Sequence, residues 1–300
     1  MNIKNNPRLR LFIGAALISL SPVWVKLVDV PPSTSGFYRV LFGSAALVVY
    51  LLVMRKRMTL SRRAWLMLAV AAIFFALDLW FWHRSIYYVG PGLATLLANF
   101  QVFIMMLAGV VLLKQFPRPI QVLAVPMALL GLGLIVGLDW NNLPDEYQLG
   151  VIFGLLTAVT YAGYLLSLRQ ARQDSPYKVP AREMAVVSII CTVIMAATVL
   201  GEGESLSIPS YPDFGWLVAY GVLSHSLGGL FIASSLPQVT TAEAGLALLL
   251  QPTLSFVWDV LFFSRPMTAL ELLGACIALV AIYLGARPKS KQVQGIRQDR

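Results

Sequence analysis

Long apolar stretches alternate with short polar ones along this chain, and the apolar stretches have the length of a bilayer crossing. A helix needs roughly 17–25 mostly apolar residues to span hydrocarbon. Ten runs reach that length: 9–27, 33–54, 64–86, 92–113, 120–138, 149–170, 181–200, 214–236, 240–263 and 268–286. Prolines mark the boundaries. Of the 17, Pro22, Pro126 and Pro252 fall well inside a run, and the rest sit where a missing N–H costs least. The connections are short, so the pattern predicts an all-α integral membrane protein with ten transmembrane helices and no attached soluble domain. The first run follows Lys4, Arg8 and Arg10, as a signal peptide would. It lacks a small-residue cleavage site and nine more runs follow, so it is expected to be a retained first helix.

Composition agrees. The 300 residues are 58% hydrophobic and 12% charged, whereas a soluble domain carries about 25% charged residues. The net charge of +9 raises the question of nucleic acid, and the position of the charges answers it. With the run ends counted into the connections they flank, Lys and Arg number three at the start of the chain (Lys4, Arg8 and Arg10) and five between the second and third runs. Two more lie between the fourth and fifth, four between the sixth and seventh, and five after the tenth, together 19 of the 23. The alternate connections carry Asp29, Asp139, Asp145, Glu146, Glu202, Glu204 and Asp213. Basic residues resist translocation, so both termini are expected in the cytoplasm and the chain in the cytoplasmic membrane. The lipid bilayer then accounts for the charge, and nucleic acid is not expected as a partner. Cys191 and Cys276 both lie in apolar runs, with neither a disulfide framework nor a metal-ligand spacing. No metal or cofactor is expected.

A shift of 150 positions aligns Val89 with Val239, Ala94 with Ala244, Leu96 with Leu246 and Gln101 with Gln251. Apolar matches are common by chance, whereas two mid-helix glutamines are not. The expected organisation is a first five-helix repeat over 1–138, a second over 149–286, and a basic cytoplasmic tail over 287–300. Five helices per repeat make the two halves enter the membrane from opposite sides. In transporters, such inverted repeats place the solute site near the midplane, between the halves.

Several segments resemble the drug/metabolite transporter superfamily, in its EamA-type branch. They are Trp24 and Lys26 in the first run, Pro31–Pro32 with Arg39 in the second, the stretch 150–164, and the segment 244–252 (AGLALLLQP) running on to Gly274 and Gly285. The resemblance covers nearly the whole chain through diffuse patterns. Family members often carry an acidic residue just after the fourth and ninth helices, where this chain has Gln115 and Arg265. They also often carry a fourth-helix proline, where it has Val102. The resemblance implies a ten-helix transporter of small organic solutes and leaves the solute open.

Polar residues within the runs are the candidates for a site, because an ionised side chain at the bilayer centre costs a few kcal/mol or more, about 2.5–3.5 on insertion scales. Arg39 lies about 9 Å and Asp78 about 12 Å from the same outer face. An ion pair between them would serve either structure or solute binding. Gln101 and Gln251 lie about 15 Å deep, at the midplane, and either glue helices or line a cavity. Asn99, Tyr161, Tyr164 and Trp24 complete the candidate binding set. Trp24 has an interfacial-belt alternative, and His225 is either a proton-coupling group or a hydrogen-bonded core histidine. Secondary transport, most naturally export of a small metabolite such as an amino acid or a related amphiphile, fits these features. A proton or a counter-solute would be the coupling partner. Uptake or exchange of a nucleotide-linked, vitamin or drug-like solute remains an alternative, as does a membrane-embedded enzyme or a non-transporting partner subunit. No G-x-x-x-x-G-K-[ST] or H-E-x-x-H motif occurs.

Overall fold

The computed structural model describes residues 6–55, 60–113, 118–136, 143–173, 179–235, 250–264 and 268–286. Among these, regular structure is helical throughout. The first run becomes α1 (Pro7–Ser19) and α2 (Ser21–Leu27). They part at Leu20 because Pro22 has no N–H to continue the ladder. The next two N–H groups, of Val23 and Trp24, both bond to the Leu20 carbonyl, at 3.0 and 3.1 Å. α3 (Pro32–Val53) and α4 (Arg62–Val89) follow as unbroken helices. The fourth run splits into α5 (Pro91–Ala98) and α6 (Gln101–Leu113). Pro126 interrupts nothing: α7 (Pro119–Val136) runs through it.

The second part of the chain contains α8 (Asp145–Gln173), α9 (Pro180–Glu202) and α10 (Tyr211–Ala219). A π-helical segment, Tyr220–Gly228, then leads into α11 (Gly229–Ser235). α12 (Leu250–Phe263) and α13 (Ala269–Ala286) close the described chain. Among the described residues, six helices are long and apolar enough to cross a membrane: Pro7–Leu27, Pro32–Val53, Arg62–Val89, Asp145–Leu168, Pro180–Glu202 and Tyr211–Ile232. Shorter apolar helices occupy Pro119–Leu134, Leu250–Phe263 and Ala269–Ala281. Large apolar side chains such as Leu52, Val53, Val193, Leu200 and Leu261 point outward and exposed. Such a surface suits hydrocarbon and would be a liability in water.

Lipid tails are as apolar as leucine, so burial alone does not hold such helices together; close packing and hydrogen bonds do. α4 packs along α8, α3 along α9, and α7 along α13. Small residues permit the closest crossings. A Cβ on Gly221 would stand 2.8 Å from the Gly43 nitrogen and 2.9 Å from the Arg39 carbonyl oxygen, so the π segment lies backbone to backbone against α3. Ser226 Oγ seals that crossing by donating to the Gly43 carbonyl at 2.8 Å. Gly90 alone joins α4 to α5, at φ +84°, where a side chain would be strained.

Candidate functional site

Arg39 sits two turns into α3 and reaches across to α4 and the π segment. Its guanidinium carbon lies 5.0 Å from the Tyr220 ring centre, 5.5 Å from Trp82 and 5.8 Å from Phe75. Three aromatic faces around one cation offset part of its desolvation, each by about 0.5–2 kcal/mol. Arg39 Nη1 donates to the Tyr220 hydroxyl at 2.9 Å, and that hydroxyl lies 3.2 Å from His83 Nε2. His83 Nδ1 lies 2.7 Å from the Leu79 carbonyl oxygen. A carbonyl only accepts, so Nδ1 carries the proton and Nε2 is left to accept from Tyr220. The chain of donors therefore has one direction: Arg39 to Tyr220 to His83 to Leu79. Arg39 Nε is buried with no hydrogen-bond partner among the described residues.

Asp78 lies on the α4 face between Phe75 and Trp82, the two α4 rings that flank Arg39. The expected direct ion pair does not form. No contact within 4.0 Å joins the two charges, and Asp78 makes no hydrogen bond among the described residues. The guanidinium is oriented instead toward Tyr220, on a different helix, with Nη1 donating to its hydroxyl. Asp78 and Arg39 nonetheless lie within electrostatic reach of Tyr161 and Tyr164. Those two rings stack at 5.7 Å, Tyr164 stacks on Phe75 at 4.8 Å, and Phe75 on His225 at 5.6 Å. Neither tyrosine hydroxyl has a hydrogen-bond partner among the described residues. His225 Nε2 and Ser188 Oγ share a hydrogen bond at 2.7 Å. Interior polar groups are nearly always paired. Here one carboxylate, two phenols and one edge of a guanidinium converge with hydrogen-bonding capacity unused.

The family model for the EamA-like transporter family matches residues 9–137 and 148–286. The chain belongs to the EamA-like transporter family. An uncharacterized inner membrane transporter of Escherichia coli (strain K12), YhbE, is 27% identical over 285 residues, covering 90% of this chain and 85% of that protein. An uncharacterized transporter of Archaeoglobus fulgidus is 22% identical over 172 residues, about half of each chain. A solved crystal structure superposes with a TM-score of 0.66 at 18% identity, covering 93% of this chain and 96% of that one. It shares the fold. The protein is thus a multi-pass inner membrane transporter, and the enzyme alternative is set aside.

Within this transporter, the residues singled out from sequence divide into two groups. Arg39, Asp78, Tyr161, Tyr164 and His225 come together around α3, α4, α8 and the π segment. Trp24 lies beside them: its Nε1 donates to Ser224 Oγ at 3.1 Å, and its ring stacks on Trp216 at 5.5 Å. Asn99 sits at the break between α5 and α6 and turns its amide onto the Thr95 carbonyl at 2.8 Å, as a local cap. Gln101 starts α6, which packs on α8 and α13, with its Oε1 buried and unpartnered. Gln251 lies at the start of α12, which packs on α1, α2 and α5. Neither glutamine takes part in the Arg39 network. Gln115 and Arg265 lie outside the described residues.

Sequence reasoning placed neither Tyr220 nor His83 in the site. At about 100° per residue, an α-helix would point Tyr220 and His225 to different sides. The π winding, with i→i+5 hydrogen bonds, brings both to the side that faces α3, where Tyr220 meets Arg39 and His225 lies against Gly43. Nothing in the periodicity of the eighth run announces that winding. Tyr220 is nevertheless the most deeply buried tyrosine described, and it carries the link between the guanidinium and His83.

Proposed function

We propose that the protein is a secondary transporter of ten membrane helices, built as two inverted five-helix repeats over 1–138 and 149–286, with the basic tail 287–300 and both termini in the cytoplasm. It works by alternating access, and it exports a small organic metabolite of the amino-acid type. The carrying observation is the cluster of Arg39, Asp78, Tyr161 and Tyr164, whose hydrogen-bonding capacity, apart from the bond of Arg39 Nη1 to Tyr220, is not taken up among the described residues. Two opposite charges held apart suit a zwitterion, with a carboxylate on the open edge of Arg39 and an ammonium on Asp78. The stacked Tyr161 and Tyr164 rings supply an apolar wall for a side chain. Gln101 and Gln251 remain proposed as midplane groups that face the pathway as the halves move.

Binding is tested on purified protein by thermal shift with three matched probes: an aromatic amino acid, its decarboxylated amine and its deaminated acid. Ligands that bind the native state raise apparent stability. The amino acid is expected to stabilise most, and counterflow in proteoliposomes should accept it without chemical change. Equal shifts from all three probes would remove the zwitterion reading. Orientation has its own test. Cysteines at Asn142 and Ser205 should react with an impermeant thiol reagent in intact cells, and one at Ser290 should not. Labelling at Ser290 would reverse the orientation.

A further inference from the structure

In the first half, α3 and α5 both begin without side-chain caps of their own. α3 starts after Pro31, whose side chain cannot accept a hydrogen bond, and α5 starts after Gly90, which has no side chain. The first N–H groups of a helix need acceptors. In both cases the second half supplies them. Glu204 Oε2 accepts from the Thr34 N–H at 2.9 Å and the Thr34 hydroxyl at 3.1 Å, and Glu204 Oε1 accepts from the Ser33 N–H at 3.4 Å. Asp259 Oδ2 accepts from the Gly92 N–H at 3.0 Å. Just beyond α2, the Asp29 N–H donates to Asp213 Oδ1 at 3.1 Å.

Glu202 ties the same end differently. It ends α9, where the helix dipole disfavours a carboxylate, so it needs compensation. Its Oε1 accepts from Arg84 Nη2 at 2.8 Å and from Trp80 Nε1 at 2.7 Å, and its Oε2 from Ser33 Oγ at 2.6 Å. Arg84 also lies 4.0 Å over the Trp80 ring. Gly203, at φ +69°, makes the turn that delivers both glutamates: its N–H bonds to the Leu200 carbonyl and the Glu204 N–H to the Val199 carbonyl. That is a Schellman ending, and it places Glu202 and Glu204 on consecutive sides of one helix terminus.

We infer that these contacts form the outer gate of the transporter. Carboxylates of the second half cap helices of the first half while the outer side is shut, and they release those helices when it opens. The inference rests on the two-half organisation and orientation proposed above. It also explains why α3 and α5 lack local caps. N–H groups at an opening outer mouth meet water in place of a carboxylate, so the gate opens without leaving them unsatisfied. A built-in cap would keep the helix ends satisfied in both states and contribute nothing to closure.

The test reads access from outside to the central cluster. In a Cys191→Ala/Cys276→Ala background, a Tyr161→Cys reporter is labelled with an impermeant maleimide in intact cells, and Ser205→Cys serves as the orientation control. Glu202→Gln with Glu204→Gln is expected to raise reporter labelling about tenfold, because several charge-assisted hydrogen bonds are weakened together. Arg84→Gln, on a different helix, should act in the same direction. Glu204→Ala combined with Pro31→Asp gives α3 a local cap. It should recover melting temperature while reporter labelling stays high. Recovery of both would make Glu204 a helix cap only and overturn the gate. Unchanged labelling in folded Glu202→Gln/Glu204→Gln and Arg84→Gln proteins, with Ser205→Cys labelled, would overturn it too. If Ser205→Cys is labelled only in inside-out vesicles, the orientation fails, and the contacts are not an outer gate.

Discussion

Arg39→Gln is expected to lower solute affinity by about ten- to a hundredfold while leaving the protein in the membrane. A hydrogen bond to a charged group contributes about 1.5–3 kcal/mol, and glutamine keeps a donor without the charge or the planar fork. Stability should fall less than affinity, because the rings around Arg39 keep their own partners: Phe75 packs on Tyr164 and His225, and Trp82 and Tyr220 both pack on His83. Tyr220→Phe provides the comparison. It leaves the charge in place, removes the acceptor of Arg39 Nη1 and removes the donor to His83 Nε2. Each orphaned group costs about 1–3 kcal/mol in a dry interior, so Tyr220→Phe should reduce stability and loosen the guanidinium together. Solute affinity and melting temperature measured on the same purified variants separate the two effects. If Arg39→Gln lowers melting temperature as much as Tyr220→Phe and leaves affinity unchanged, Arg39 is structural and the site lies elsewhere.

Gly221→Ala is expected to be strongly destabilising for so conservative a change. The added carbon would meet Phe42 Cβ at 2.7 Å, the Gly43 nitrogen at 2.8 Å and the Arg39 carbonyl oxygen at 2.9 Å. Two of those three atoms are backbone, so no rotamer can yield. α3 and the π segment must separate, at a cost at or above the roughly 1–3 kcal/mol typical of overpacking. Their separation would also move Arg39 from Tyr220. Gly215→Ala supplies the opposite sign. Nothing lies within 4 Å of its added carbon, and alanine favours the helix by about 0.5–1 kcal/mol. Melting temperature should fall sharply for the first variant and hold or rise for the second. Equal responses would mean that the crossing is looser than these distances require.

The same crossing shows where sequence reasoning stops. Arg39 and Asp78 could be paired by depth, since both lie on helices whose ends the apolar runs mark and each residue advances about 1.5 Å. Depth says nothing of azimuth between helices. The carboxylate and the guanidinium share a layer, yet no contact within 4.0 Å joins them, and Arg39 Nη1 turns to Tyr220. Tyr161 and Tyr164 were legible as a stripe because they lie on one regular helix, α8. Tyr220 and His225 were not, because their alignment depends on a π winding that packing against α3 imposes. Asn99 read as a site amide, but the chain breaks beside it and the side chain caps its own helix.

Hydrophobic length, charge placement and proline positions depend only on the local competition between hydrocarbon and water. From them the sequence by itself determined that this is a helical membrane protein, roughly where its helices run, and which polar residues lie deep. Family membership was legible for the same reason, since its diffuse motifs are largely helix boundaries and small residues. Which deep residues meet was decided by tertiary structure alone. Contacts between helices are set by the glycines that let backbones close to within a few ångströms and by the directional donors that then find acceptors. Both depend on rotations about helix axes, and residue spacing along one helix leaves those rotations free.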